Sequence, residues 1–209
     1  IGAEGGAQAC AVLGDGSVSC WFGLGDGTTP SATTNVAPWK IAGVVNATAV
    51  AFGVQHGCAL IIDGTVTCWG DNAYGQLGNG VVCDPANPNP PAACLPPVTE
   101  GSFTVVEPDP ASPAVNRPLA GVVSIVTGDY HACALASNGT VKCWGRAWSG
   151  GRTVNSAVAT TVPSLAAVAV SAGAFTTCAT LAGGTLSCWG DRASGGPPLP
   201  QPTLVPQPV

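Results

Sequence analysis

Four segments of the chain share one pattern of apolar and polar positions around a glycine turn. In residues 58–68, Leu60 and Val66 alternate with small or polar residues, and Asp63 and Gly64 lie midway between them. Alternation with a period of two predicts a β-strand on each side of the turn. Asp-Gly between two such runs is a strong signal for a β-hairpin.

The number of residues in the loop sets the register of this hairpin. A two-residue loop would leave Cys58 one residue out of line with Cys68, whereas a three-residue loop at 62–64 sets the two cysteines directly opposite. Such a loop is a type I turn followed by a left-handed residue, and glycine adopts that conformation without strain. Because the Cα atoms of opposite residues lie about 4.5–5.5 Å apart, the register predicts a cross-strand disulfide.

The same phrase occurs four times, which predicts a repeat protein with a disulfide in every unit. Each copy reads cysteine, nine residues, cysteine, tryptophan, over residues 10–21, 58–69, 133–144 and 178–189. Zinc is the alternative for paired cysteines, but structural zinc ligands usually lie about two to four residues apart. The predicted disulfides are Cys10–Cys20, Cys58–Cys68, Cys133–Cys143, Cys178–Cys188 and a fifth, Cys83–Cys94.

One interval between the repeats is longer than the others. The first cysteines follow at about 45 to 50 residues, except for about 75 residues between the second and third copies. The excess marks an insertion at residues 81–117, which holds nine of the nineteen prolines and the fifth cysteine pair. Proline and a local disulfide predict a stiff projection. Long ordered loops on a rigid scaffold often carry recognition, with an edge-covering role as the alternative.

The second copy carries a longer motif that resembles a known family. Residues 53–78 read Gly-x-x-His-x-Cys-Ala-Leu and then Asp-Gly-Thr-Val-x-Cys-Trp-Gly-x-Asn-x-x-Gly-Gln-Leu-Gly. This is similar to the regulator of chromosome condensation repeat, although the third and fourth copies lack Gln-Leu-Gly. The resemblance implies an all-β fold, a β-propeller with one four-stranded blade per repeat. The paired cysteines resemble a secreted bacterial branch of that family.

The number of repeats departs from the family, whose rings usually have seven blades. Four blades are expected here, in a single domain over residues 1–209. The chain is close to a whole number of repeats. That length suits a ring closed by the chain's own ends, and it equally suits an arc of a larger assembly.

Composition narrows the compartment and the partners. Ten cysteines indicate an oxidising environment, so we expect an extracellular or cell-surface protein. Of the residues, 46% are hydrophobic, but the sequence has no uninterrupted run of about 18 apolar residues. We therefore expect no membrane insertion. A net charge of −5 with six basic residues speaks against nucleic-acid binding through phosphate neutralisation, although the family prototype binds chromatin.

The sequence shows no arrangement typical of catalysis. His56 and His131 share one repeat position, which Gln8 and Thr176 fill in the other copies. A position that accepts three polar residue types indicates a hydrogen bond to the backbone rather than a metal ligand or a general base. Nucleophile elbows, phosphate loops and His–carboxylate sets are missing from the sequence. We therefore expect no enzyme, no metal and no cofactor.

Contact with another protein is the predicted function. Aromatic residues outside the repeat are candidates for a contact surface, since tryptophan and tyrosine dominate interface hot spots. The predicted binding residues are Trp39, Tyr74, Tyr130 and Trp148, with Glu100 and Phe103 from the insertion. We expect a protein-binding or assembly module, whose partner is another surface protein or a second copy. Alternatives are a filament, adhesin or pilus-associated domain, and a secreted inhibitor of another protein, as in the β-lactamase inhibitors built on this repeat.

Overall fold

The computed structural model describes residues 2–4, 8–22, 38–83, 101–149, 152–190 and 207–208. Regular secondary structure within these ranges consists of β-strands alone. The strands are β1 (Gly2–Glu4), β2 (Gln8–Val12), β3 (Val18–Phe22), β4 (Trp39–Lys40), β5 (Ala47–Phe52), β6 (His56–Ile61), β7 (Val66–Gly70), β8 (Ser102–Thr104), β9 (Val106–Asp109), β10 (Ser112–Pro118), β11 (Val122–Thr127), β12 (His131–Ala136), β13 (Val141–Ser149), β14 (Arg152–Thr161), β15 (Ala167–Ala172), β16 (Thr176–Leu181), β17 (Leu186–Gly190) and β18 (Gln207–Pro208).

Sixteen of these strands form four antiparallel sheets in chain order. The sheets are β1–β4, β5–β8, β11–β14 and β15–β18, while β9 and β10 form a separate two-stranded ribbon. A cysteine hairpin supplies the second and third strands of every four-stranded sheet. The all-β fold class and the prediction of one four-stranded sheet per repeat are confirmed.

The hairpin register is the predicted one. Cys58 lies opposite Cys68, and Leu60 lies opposite Val66. The turn closes with a hydrogen bond from the Gly64 amide to the Ile61 carbonyl at 2.9 Å. Gly64 has φ +81°, and the glycines at the same position in the other hairpins have φ between +75° and +82°. The left-handed conformation therefore explains the glycine in all four copies.

Every hairpin carries its cross-strand disulfide. The cysteine Cα atoms lie 4.1 Å apart in each of the four pairs, near the shorter spacing of antiparallel strands. Cys83 is also disulfide-bonded. Its predicted partner, Cys94, lies outside the described residues.

Successive sheets pack face to face, and three hydrophobic cores lie between them. One core joins the first and second sheets, one the second and third, and one the third and fourth. In the first three sheets, the carbonyl of the hairpin-turn glycine accepts a hydrogen bond from the amide that opens the next sheet. These bonds are Ala47 N to Gly16 O at 2.8 Å, Val122 N to Gly64 O at 3.0 Å, and Ala167 N to Gly139 O at 2.9 Å.

The structure describes no closed ring. β1 lies at the edge of the first sheet, whereas β18 completes the fourth sheet beside β17. The described strands of the first and fourth sheets do not contact one another as extensively as those of successive sheets do. Closure by the chain's own ends is therefore not seen among the described residues. The physical reason is that each outer strand comes from the segment after its own hairpin, so the two ends do not share a sheet.

The second half of the insertion is part of the fold rather than a projection. β8 pairs with β7 and completes the second sheet, and Val105 directly after it is fully buried. Glu107 in β9 is 3% exposed and forms ion pairs with Arg117 in β10 and Lys142 in the third sheet. Residues 101–118 therefore brace the second and third sheets. The prediction of a projection can apply only to residues 84–100, which lie outside the described residues.

Removing a disulfide should cost more in the second sheet than in the fourth. Each bond closes a loop of similar length, worth about 3 kcal/mol in the chain-entropy treatment. Cys58 and Cys68 are fully buried, whereas Cys178 and Cys188 are partly exposed. Cys58→Ala/Cys68→Ala should therefore add a cavity cost of about 1 kcal/mol or more to the loss of the cross-link. Urea unfolding followed by tryptophan fluorescence would contradict this if both double variants lost the same stability.

Candidate binding site

In the third and fourth sheets, the turn between the first and second strands places an aromatic side chain at the same repeat position. Tyr130 directly precedes β12, and Phe175 directly precedes β16. Arg146 lies across the hairpin from Tyr130, and its amide donates a hydrogen bond to the Tyr130 carbonyl at 2.8 Å. Gly145 allows this approach, since it has φ +90° and a Cβ there would lie 2.5 Å from the Tyr130 oxygen.

These side chains meet Tyr74 from the loop after β7, and we call the four residues the aromatic–arginine cluster. The guanidinium carbon of Arg146 lies 4.9 Å from the ring centroid of Tyr74, 5.7 Å from that of Tyr130 and 6.0 Å from that of Phe175. Tyr130 meets Tyr74 edge-on at 5.3 Å and stacks on Phe175 at 6.1 Å. The three rings come from three successive repeats, so the cluster spans two interfaces between sheets.

Buried hydrogen bonds fix the loop that carries Tyr74. The Tyr74 amide donates to the side-chain oxygen of Gln76 at 2.8 Å, and the Gln76 side-chain amide donates to Asp71 at 2.7 Å. Gln76 is fully buried, and its carbonyl accepts a hydrogen bond from the Trp144 indole at 2.9 Å. The Gly-Gln-Leu-Gly part of the motif thus fastens the second repeat to the third and holds Tyr74 in place.

Arg146 stands apart from the other described cations. Lys40 pairs with Asp15, and Arg117 and Lys142 both pair with Glu107. Among the described side chains, Arg146 is the only lysine or arginine with no carboxylate within 4.0 Å. Its Nε is buried and has no hydrogen-bond partner. Cation–π contacts of about 0.5–2 kcal/mol stabilise the charge but leave the N–H groups without acceptors.

The predicted binding residues fall into three groups. Tyr74 and Tyr130 lie together in the cluster, whereas Trp39 and Phe103 pack partly buried against hydrophobic cores. Glu100 lies outside the described residues, as does the side chain of Trp148. A binding role for any of the six stays a prediction.

Two residues of the cluster, Phe175 and Arg146, were not predicted from the sequence. Phe175 could have been found, because it shares its repeat position with Tyr130. The position of Arg146 holds Asp71 in the second repeat, so alignment of the copies gives no signal for a cation.

The two histidines are buried between sheets rather than bonded to the backbone. His131 Nε2 lies 2.8 Å from the Thr177 hydroxyl of the fourth sheet. At the corresponding place beside His56 the next sheet has Ala132, and both ring nitrogens of His56 lack a hydrogen-bond partner. The predicted hydrogen bond to backbone is therefore wrong for both residues. The repeat position packs against the next sheet, whose residue at that point decides whether the ring has a partner.

Burial lowers the pKa of both histidines. The pKa of His56 falls to about 3, chiefly through desolvation and also through the charge of nearby His131. The nearby backbone of His131 acts to raise the pKa of His56, although no hydrogen bond joins it to the His56 ring. Desolvation lowers the pKa of His131 to about 4. Both rings are therefore neutral near physiological pH.

The described part of the chain holds no candidate metal site and no candidate membrane-spanning helix. No three His, Cys, Asp or Glu residues there are grouped so that they could hold a metal ion. Those same ranges contain no helix of the length and apolarity needed to cross a membrane.

Comparison with known proteins identifies the repeat. Residues 47–76 and 122–147 match the family model of the regulator of chromosome condensation (RCC1) repeat. These segments hold β5–β7 with most of the Tyr74 loop, and β11–β13 with Tyr130 and Arg146. No curated protein sequence gives a significant match.

Solved structures share the fold at low sequence identity. The chain is 21% identical to human WBSCR16 with a TM-score of 0.62, covering 97% of this chain and 50% of that one. Against yeast RCC1 (Prp20) bound to Kap60, the identity is 20% and the TM-score 0.67, with coverage of 97% and 46%. Against Prp20p from Saccharomyces cerevisiae, the identity is 21% and the TM-score 0.66, covering 97% of this chain and 48% of that one. The chain thus spans about half the length of these structures.

Fold and repeat together define a β-propeller-type repeat protein. Residues 47–76 and 122–147 match the RCC1 repeat, and each four-stranded sheet corresponds to one propeller blade.

Stability should fall as the pH is lowered from about 7 to about 5. The folded pKa values of His56 and His131 lie below the ordinary value of 6.5, so only the unfolded chain takes up protons in this range. The expected loss is about 2 kcal/mol for each histidine. Hydrogen bonds from Ser17 and Thr65 lower the pKa values of Asp15 and Asp63. These two carboxylates therefore affect the unfolding free energy only at lower pH, below their ordinary pKa of 3.8.

The measurement is urea unfolding at several pH values for the wild type and His131→Gln. Glutamine occupies the same position in the first repeat, and the variant should lose about half of the pH dependence. An unfolding free energy that is constant between about pH 7 and about pH 5 would contradict the prediction.

The glycine three residues before each histidine should tolerate no side chain. A Cβ on Gly128 would collide with the His131 ring and lie 2.5 Å from the Gly173 carbonyl. We expect Gly128→Ala to lower the unfolding free energy by about 3 kcal/mol, since the neighbours are backbone and a packed ring. Gly183→Ala is the matched control, because nothing lies within 4 Å of that position. Equal urea midpoints for the two variants would refute this account of the glycine.

Proposed function

We propose that this protein is an extracellular protein-binding or assembly module on a non-catalytic propeller scaffold. A disulfide in every blade supports an oxidising compartment outside the cell. Two similar structures support protein binding by this scaffold, since yeast RCC1 (Prp20) was solved bound to Kap60, and Prp20p has binding properties to Gsp1p and histones.

The observation that carries the proposal is the uncovered face of the fourth blade. Val18, Val66 and Val141 occupy one position on the disulfide face of their hairpins, and all three are 0% exposed beneath the next blade. Leu186 occupies this position in the fourth blade and is 45% exposed. The same packing surface is thus present in all four blades, but the described residues cover it in only three of them.

The hairpin turn of the fourth blade shows the same difference. In the first three blades the position of a Cβ on the turn glycine lies 2.9–3.2 Å from backbone of the next blade, at Asn46, Gly121 and Ala167. At Gly184 nothing lies within 4 Å. Among the described residues, no amide of a following blade donates a hydrogen bond to the Gly184 carbonyl, unlike the carbonyls of the other turn glycines.

A blade of the same kind fits this face best. It would cover Leu186, and its opening amide would donate a hydrogen bond to the Gly184 carbonyl. The second, third and fourth blades make the same hydrogen bond to the blade before them. We propose that the first blade of a second copy supplies it. Such a contact joins unlike surfaces, so repetition gives a ring or an open filament. This geometry also favours the filament interpretation over that of an inhibitor, which stays a sequence-based prediction.

Charge placed on the open face should block assembly without unfolding the domain. We expect the wild type to form dimers or larger species in light scattering coupled to size-exclusion chromatography, and Leu186→Arg to be monomeric. Ile62→Arg is the control, because Ile62 is 75% exposed at the turn of the second blade. A buried guanidinium without a partner would weaken association by about tenfold or more.

Two outcomes would count against this proposal. A wild type that stays monomeric at every accessible concentration would show that a second copy does not cover the face. Association of Leu186→Arg equal to that of the wild type would place the contact elsewhere.

A further inference from the structure

We propose that the aromatic–arginine cluster is a second binding site, which anchors a carboxylate of a partner protein segment through Arg146. The inference rests on the proposed role in protein binding, but it concerns a surface separate from the open face of the fourth blade. The ligand chemistry is an aspartate or glutamate side chain with a flanking apolar residue.

Arg146 lacks a counter-charge in the described part of the chain. Among described side chains, every other lysine and arginine has a carboxylate partner, whereas Arg146 has none. Nearby acids do not fill the role. The Asp71 carboxylate accepts hydrogen bonds from Gln76 and from the Ala73 amide, and Asp129, beside Tyr130, forms no ion pair with Arg146.

Part of the Arg146 guanidinium remains available to a ligand. Only Nε of Arg146 is both buried and unpaired, and the residue as a whole is partly exposed. The terminal nitrogens are therefore left to bind a carboxylate end-on, with two parallel hydrogen bonds. The ring centroids of Tyr74, Tyr130 and Phe175 lie within 6.0 Å of the guanidinium carbon, and this apolar environment strengthens a charged hydrogen bond.

The surroundings of Arg146 suit a protein carboxylate better than a nucleic-acid phosphate. Phosphate backbones are bound by several cations in a patch, because affinity grows with the number of phosphates neutralised. Here one unpaired guanidinium lies among aromatic rings, in a chain of net charge −5. A single carboxylate with an apolar neighbour matches one cation and three rings.

The test is a titration followed by the Nε–H resonances of the arginines in two-dimensional NMR. The probe is the blocked peptide acetyl-Gly-Phe-Asp-Gly-amide, and the same peptide with Asn in place of Asp controls for charge. We expect the Asp peptide to shift the resonance that Arg146→Gln removes, and to bind at least about tenfold more tightly than the Asn peptide. Arg146→Gln should abolish that difference.

Two further variants keep the test interpretable. Arg146→Lys retains the charge but not the planar fork, so it should bind the Asp peptide more weakly than the wild type while preserving the fold. Lys40→Gln removes one positive charge from the first blade and should bind as the wild type does. If the Asp and Asn peptides bind alike, or if Arg146→Gln binds as tightly as Lys40→Gln, the inference is overturned.

This test can fail independently of the proposed function. Leu186→Arg should bind the peptide normally, and Arg146→Gln should assemble normally. Assembly without peptide binding would remove this inference alone, whereas peptide binding without assembly would remove the second-copy proposal alone.

Discussion

The stacking of each hairpin against the next blade is the interaction on which the whole structure depends. A blade of four short strands cannot bury both of its faces by itself. It buries the disulfide and its aliphatic neighbours only when the next blade covers them. The turn-glycine carbonyl fixes the position of that blade through one hydrogen bond to its opening amide. Turn, disulfide and interface are therefore consequences of one local arrangement, which is why they recur together along the chain.

This dependence explains which parts of the fold the sequence could predict. The hairpin register, the left-handed glycine and the cross-strand disulfides are local, so counting residues between Cys58 and Cys68 was enough to place them. The insertion was harder. β8 is only three residues long and follows a long proline-rich stretch, so no periodicity marked it as the outer strand of the second blade. The bracing role of Glu107 depends on Lys142, which is distant in sequence and belongs to another blade.

The candidate site was predictable only in part, for a related reason. Tyr74 and Tyr130 stood out because they lie outside the packing pattern of the repeat, but their proximity arises only when consecutive blades are stacked. Arg146 gave no signal, because an unpaired cation is recognised by what is missing around it in three dimensions. The buried histidines illustrate the same limit, since Thr177 or Ala132 on the neighbouring blade decides whether the ring has a partner.

The uncovered fourth blade also has a consequence for the distribution of stability along the chain. In an array where each unit contacts only its neighbours, stability is close to a sum of intrinsic and interface contributions. The second and third blades have an interface on both sides, whereas the fourth has one among the described residues. The fourth blade should therefore open locally at a lower free energy than the inner blades and exchange its amide hydrogens sooner. A partner on that face would act as a cap, so assembly and resistance to proteolysis would rise together.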